Sequence, residues 1–216
     1  MKRYLTRFFF TVAILGAGFL TGLLTQQLPQ DTESLLADDA KGLFDLKSHW
    51  AQGNIVSLVR HGERCDRSDN ICLDGEDGIT LVGKEQTIEL GKDYLQHLPM
   101  DNTIIYNSPV KRTEQSADFM FGERSETKNW LREGCKENLL QDILKYKQDG
   151  KNLILVTHST CIDALGEKEG NKLIEFDIHE PETYGGSFFL AVDKSQQKVH
   201  VLGYLLANDW DNSRKS

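Results

Sequence analysis

Leu58-Val59-Arg60-His61-Gly62-Glu63-Arg64 is an apolar stretch that breaks abruptly into a basic turn. Ile55, Val56, Leu58 and Val59 read as a short buried strand. A strand running into such a turn places its side chains at the carboxyl edge of a parallel sheet, where open α/β folds bind ligands. Arginine beside histidine at that edge suggests a nucleophile for phosphorus and a group that holds charged oxygens. Arg-His-Gly alone is a weak signal, because three common residues recur by chance.

Three further segments follow in order. Ile79-Thr80-x-x-Gly83-x-x-Gln86 opens a helical stretch. Asn107-Ser108-Pro109-Val110-Lys111-Arg112-Thr113-Glu114-Gln115-Ser116-Ala117 follows the strand-like Thr103 to Tyr106. Val156-Thr157-His158-Ser159 closes the apolar run Leu153 to Val156. Motif by motif, roughly residues 54 to 206 resemble the histidine phosphatase superfamily, the phosphoglycerate mutase-like fold. Its segments are Arg-His-Gly, Thr-x-x-Gly-x-x-Gln, Ser-Pro-x-x-Arg-x-x-Gln-[Thr/Ser]-Ala and Thr/Ser-His. A narrower resemblance lies in Arg60-His61-x-Glu63-Arg64-Cys65-Asp66-Arg67-Ser68-x-Asn70-x-Cys72-Leu73, the Cys135 segment and Thr157-His158-x-x-Cys161. These stretches are similar to the periplasmic lipopolysaccharide core heptose(II)-phosphate phosphatases.

The resemblance implies a pocket of Arg60, His61, Arg112 and His158. His61 would attack phosphorus and form a phosphohistidine, splitting one displacement into two easier ones. Neighbouring arginines favour its neutral form, and a hydrogen bond from its other nitrogen would fix the tautomer. Arg60 and Arg112 would clamp phosphate oxygens with planar guanidinium groups. His158 would donate to the transferring phosphoryl group. Taken singly, a strand-end histidine or a helix-start arginine is usually structural or solvated; the ordered set of segments reverses that reading. His49, His97, His179 and His200 lack such context.

Many superfamily members carry an acidic residue between the second arginine and second histidine. Here that stretch is only Thr113 to Thr157, with Glu133 as its candidate general acid and Asp66 and Glu63 as alternatives. His158-Ser159 lacks the aspartate used by other branches. Arg64 and Arg67 would extend the basic pocket toward further anionic groups of the substrate. No sequence feature demands a metal or other cofactor.

The chain has 216 residues, enough for one domain with a real core. Lys2, Arg3 and Arg7 precede an uncharged segment from Phe8 to Gln30, apolar to Leu24. This reads as a secretory signal or an uncleaved anchor, and no clean small-x-small cleavage site follows. Either way the domain lies outside the cytoplasm, periplasmic and soluble or held at the inner membrane by its N-terminal segment. Without those three residues, 22 basic residues (25 less 3) face 33 acidic ones, a formal charge of −11. Such a surface argues against nucleic acid and makes a local cluster of Arg60, Arg64, Arg67 and Arg112 a focused receiver for an anion.

Four cysteines in an exported domain suggest two disulfides, with three possible connectivities. Cys65 and Cys72 enclose a short polar loop, so a local bridge is the simplest choice, and Cys135 then pairs with Cys161. There is no Cys-x-x-Cys and no zinc spacing.

Residues 31–53 read as a polar, acidic tether ending in a short helix around Ala40 to Trp50, and residues 54–216 as the catalytic domain. Helices are expected from about Thr80 to Leu98 with Leu81, Ile88, Leu95 and Leu98 on its apolar face, from near Pro109, and from Lys136 to Gln148. Ser187 to Val192 and Lys198 to Leu206 form a hairpin. Strands alternating with helices predict a single three-layer α/β domain with a mainly parallel sheet. The leading functional reading is an exported phosphomonoesterase acting on a phosphorylated sugar of lipopolysaccharide core. The alternatives are a histidine phosphatase for another envelope or scavenged phosphate ester, or a phosphate-binding module without turnover.

Overall fold

The apolar run before Arg60 forms β1 (Ile55–Arg60), buried along its whole length. The computed structural model describes residues 31–37 and 41–210, so the N-terminal leader lies outside the described residues. Five further strands are β2 (Thr103–Asn107), β3 (Ser125–Thr127), β4 (Asn152–Thr157), β5 (Ser187–Asp193) and β6 (Lys198–Leu205). They form one sheet in the order β3-β2-β4-β1-β5-β6. The first four are parallel, and β5 and β6 run antiparallel as the expected hairpin. The short edge strand β3 is the one described strand that the sequence pattern did not predict.

Helices α1 (Lys41–Ala51), α2 (Leu81–His97), α3 (Lys111–Phe121), α4 (Cys135–Tyr146) and the short α5 (Ser159–Asp163) complete the domain. Alternate strand residues feed two separate cores, as a period of two requires. Ile55, Val59, Ile105, Ile154, Val156 and Phe189 share one core with Trp50, Leu90, Tyr94 and Met120. Val56, Leu58, Leu153, Leu155, Phe188 and Leu190 share the other with Leu139, Ile143 and Ile162. The sheet is therefore covered on both faces, giving the three layers expected.

Two expectations need correction. The segment read as a tether is packed onto the domain. Leu35 pairs its backbone with Tyr204, and Leu35, Leu43, Leu46 and Trp50 are buried in the first core. Trp50 also donates its indole N–H to the Pro99 carbonyl at 2.8 Å. Charged neighbours such as Lys41, Asp45 and Lys47 mask a four-residue apolar face.

The second correction concerns α2. Leu81 and Leu95 are 42% and 56% exposed, and the face against the protein carries Gly83, Thr87, Leu90, Gly91 and Tyr94. Small residues face inward because the helix packs very closely. A Cβ on Gly91 would overlap the Met120 backbone of α3, and one on Gly83 would sit 2.7 Å from the Glu63 nitrogen. Pro109 also lies just outside its helix, since Val110 occupies the cap position.

Disulfides join Cys65 to Cys72 and Cys135 to Cys161, the pairing expected. The first closes the loop after His61; the second ties the start of α4 to α5, just beyond His158.

Truncating Trp50 to alanine should cost about 3–5 kcal/mol, the usual range for a buried tryptophan, and lower the urea midpoint with an unchanged slope. A fully independent tether would leave the midpoint in place. Loop-closure entropy ranks the disulfides. Replacing the Cys135–Cys161 pair, 26 residues apart, by alanines should cost about 3.5 kcal/mol. The Cys65–Cys72 pair, 7 apart, should cost about 2.4 kcal/mol in the same assay.

Candidate active site

β4 lies between β1 and β2, which brings three strand ends side by side. Arg60 ends β1 opposite Thr157, and Asn107 ends β2 opposite Val156. The His61 amide donates to the Thr157 carbonyl and the Ser108 amide to Val156, so both turns leave the sheet in step with His158. His61, His158 and Arg60 are buried, and the two imidazole rings meet edge to face with centroids 5.6 Å apart.

The His61 Nδ1 lies 2.8 Å from its neighbour Gly62's carbonyl oxygen. A carbonyl can only accept, so Nδ1 carries the proton and Nε2 presents a lone pair. The Arg112 Nε–H donates to that Nε2 at 3.2 Å. Burial holds the His61 pKa well below the usual imidazole value. The charges of His158, Arg112 and Arg60 reinforce this, and the Gly62 carbonyl only partly opposes it. His61 is thus neutral, in the tautomer whose free nitrogen faces an arginine.

Gly62 is itself fixed from two sides. Its amide donates to Ser116 Oγ, one turn beyond Arg112 on α3. A Cβ there would lie 2.9 Å from both the Gly83 carbonyl and the Thr87 methyl group. The Thr-x-x-Gly-x-x-Gln segment now has a physical role. Thr80 caps α2 by accepting from the Gly83 amide and donates to the Glu63 carboxylate, while Gln86 donates to the Tyr184 carbonyl. Gln115 accepts from the Ile79 amide. These side chains position the turn rather than line it.

Arg60 anchors one end of its guanidinium on the carbonyls of Ile178 and Glu180, each at 2.7 Å, and on the Thr183 hydroxyl. Its Cζ lies over the Tyr184 ring, 3.9 Å from the centroid. Its buried Nε has no hydrogen-bond partner among the described residues, and neither does the His158 Nδ1. The other nitrogen of His158 lies 2.9 Å from Ser108 Oγ. Burial, then the charges of Arg112, Arg64 and Arg132, push the His158 pKa down to about 4.

An open cavity of about 660 Å³ adjoins these groups, lined by Arg112 and His158 together with Lys111, Arg132, Lys136 and Glu137. Arg132, in the turn before α4, is a lining residue that the motif reading passed over. Its only sequence signal is its place beside Cys135. Arg64 lies close enough to affect His158 and Arg112, but its guanidinium is forked onto Asp66. Arg67 is exposed, yet its charge also reaches Arg60 and Arg112.

The candidate acids fare differently from the histidines and arginines. Glu133 is exposed and does not line the cavity; the carboxylates there are Asp77 and Glu137. The sequence places Glu133 in the right segment, but in the turn into α4 it is the exposed Arg132 that lines the cavity. Burial works to raise the Glu63 pKa, and hydrogen bonds from Thr80, Ser68 and Asn70 outweigh it to give a net lowering. The Arg64 hydrogen bond lowers that of Asp66. Neither of these two carboxyls is tuned to hold a proton. Among the described residues no cluster of histidine, cysteine and carboxylate side chains is arranged to hold a metal ion.

Paired histidines and arginines over adjacent ends of this mixed sheet define a histidine phosphatase-type α/β domain. A phosphoserine phosphatase from Entamoeba histolytica, solved with 3-phosphoglyceric acid, superimposes with a TM-score of 0.53 at 14% identity, covering 69% of this chain and 95% of that one. The protein histidine phosphatase SixA, solved with tungstate, gives 0.53 at 15% identity over 72% and 98%. No family model matches the chain. A lipopolysaccharide core heptose(II)-phosphate phosphatase from Salmonella arizonae is 33% identical over 171 residues, 75% of this chain and 79% of its own. The namesake from Salmonella newport is 32% identical over 178 residues, 82% of each chain. The chain belongs to the lipopolysaccharide core heptose(II)-phosphate phosphatase family, and with it to the phosphoric monoester hydrolases.

The native fold refuses His158 a proton that the unfolded chain accepts below about pH 6.5. The stability this neutral histidine leaves intact above pH 6.5 is therefore lost as pH falls toward about 4. Between pH 7 and 4.5 the wild type should lose about 2–3 kcal/mol more than His158→Asn, at about 1.4 kcal/mol per unit. Urea unfolding of both proteins at the two pH values measures the difference, and parallel losses would contradict the assignment.

Proposed function

We propose that the protein is an exported phosphomonoesterase that works through a phosphohistidine and removes phosphate from heptose of the lipopolysaccharide core. The observation that carries the chemistry is the His61 tautomer. Its unprotonated Nε2 faces Arg112 in a buried setting, while Nδ1–H is tied to backbone. The Nε2 lone pair forms the bond to phosphorus as the bond from phosphorus to the sugar oxygen breaks. Water then attacks phosphorus, the N–P bond breaks, and inorganic phosphate leaves with His61 neutral again.

Arg112 and Arg60 neutralise the phosphoryl oxygens in both steps and His158 donates a hydrogen bond to them, a task for fixed donors. The buried, unpartnered nitrogens of Arg60 and His158 suit that role, since buried polar atoms ordinarily have partners. The sugar oxygen takes its proton through the open, water-accessible cavity, because the acid first expected, Glu133, stands outside it. The substrate reading rests on the relatives, named for heptose(II) phosphate in lipopolysaccharide core. Such a substrate belongs to the cell envelope, which suits the basic, then apolar N-terminal segment and the two disulfides.

His61→Ala should abolish release of phosphate from p-nitrophenyl phosphate, and the wild type should yield trapped phosphate that is labile in acid and stable in base. Arg112→Ala and His158→Ala should each lower kcat by roughly 10² or more, as loss of one transition-state donor does. Full activity in His61→Ala would remove the mechanism.

The substrate is tested by mass spectrometry of lipopolysaccharide core from cells lacking or overproducing the protein. Core phosphate should rise without it and fall with its excess. An unchanged phosphate count in both would leave the chemistry standing and remove this substrate.

A further inference from the structure

The cavity beside His158 is far larger than one phosphate, and its charge is lopsided. Lys111, Arg112, Arg132 and Lys136 line it against two carboxylates, Asp77 and Glu137. Lys111 is neutralised by Asp74 at 2.9 Å and Asp77 at 3.7 Å. Arg112 is committed to the His61 nitrogen. Arg132 and Lys136 are left: both are exposed, and neither side chain has an ion-pair or hydrogen-bond partner among the described residues.

A second feature points the same way. The N-terminus of α4 opens onto this wall, with Gly134, Cys135 and Lys136 all lining it. Its cap residue is Gly134, in the left-handed region at φ 68°, and no side chain caps the first turn. Uncapped first-turn amides carry partial positive charge aimed at whatever stands before them. The wall is also held in place. Cys135 is bonded to Cys161, three residues beyond His158, so Arg132 and Lys136 are tethered to the same strand end as the catalytic histidine.

We propose that Arg132, Lys136 and the α4 N-terminus form a second anion subsite beside the scissile phosphate. Its ligand is a phosphate or carboxylate carried by the same sugar or its neighbour, so the preferred substrate class is a sugar phosphate with two anionic groups. The inference rests on the phosphomonoesterase reading and deepens it. It also moves the outer anion contact from Arg64, whose guanidinium Asp66 occupies, to the start of α4. Guanidinium pairs with oxyanions through parallel hydrogen bonds, and Lys136 adds a point charge.

The test is a ratio of dissociation constants measured by titration calorimetry in a His61→Ala background, which cannot turn the ligands over. Glucose 1,6-bisphosphate is compared with glucose 6-phosphate, and glucuronic acid 1-phosphate with glucose 1-phosphate, so that the two arms separate phosphate from carboxylate. In at least one arm the doubly anionic ligand should bind about tenfold or more tightly, as a charge-assisted contact warrants. Adding Arg132→Gln and Lys136→Gln should cut that ratio to within about twofold. Each ratio is read within one protein, so a general loss of affinity cancels. If the His61→Ala protein does not fold, inhibition constants against p-nitrophenyl phosphate, with His61 retained, give the same ratios. A ratio near one in both arms before the glutamines are introduced, or an undiminished ratio after, overturns the subsite. Failure of the core substrate would show separately, in the phosphate count of the core, because no probe here is derived from lipopolysaccharide.

Discussion

One hydrogen bond, from His61 Nδ1 to the Gly62 carbonyl, organises the rest of this structure. It fixes where a single proton sits, and so which nitrogen offers a lone pair. Burial among other cations removes the competing protonated state. The bond survives only if Gly62 keeps its place, which depends on Ser116 from α3 and on the close approach of Gly83 and Thr87 from α2. Two helices thus press on one glycine, and the small inward face of α2 is the consequence. A bulkier face would lift the helix away and free the turn.

Charge is distributed in the same economical way. The protein carries 33 acidic residues against 25 basic ones, so an uncompensated cation near the site matters more than it would on a neutral surface. Asp66 takes Arg64, and Asp74 and Asp77 take Lys111. These pairs are partly exposed and contribute little to stability. Their effect is to leave Arg132 and Lys136, beside the Arg112 that is bonded to His61, as the unpaired cations lining the cavity among the described residues. The basic residues that line the cavity thus stand out against an acidic background.

The fold was legible where burial follows the chain's own period. β1 and β4 are apolar runs bounded by turn signals, and both are buried end to end. α4 shows its stripe of Leu139 and Ile143 for the same reason. Legibility failed where contact is made by small residues or by sparse large ones. In α2 Leu81 and Leu95 stand in solvent, while the inward face mixes Leu90 and Tyr94 with Gly83 and Gly91, which close approach to the Glu63 backbone and to Met120 of α3 requires. Residues 31–53 looked like a tether because their composition is polar and acidic, yet Leu35, Leu43, Leu46 and Trp50 are buried in the first core.

The sequence by itself determined the four side chains gathered at the strand ends, Arg60, His61, Arg112 and His158, and made a local Cys65–Cys72 bridge the simplest of three possible pairings. Each of those side chains stands at, or one residue from, a strand end or helix start, so a local pattern fixes its position and the sheet does the assembly. Only the tertiary structure decided the tautomer of His61, the outward turn of Glu133, the capture of Arg64 by Asp66 and the arrival of Arg132 beside His158. Which residue of a loop faces a cavity is set by where that loop is pinned. Here the pin is a bond between cysteines 26 residues apart, a constraint no local periodicity records.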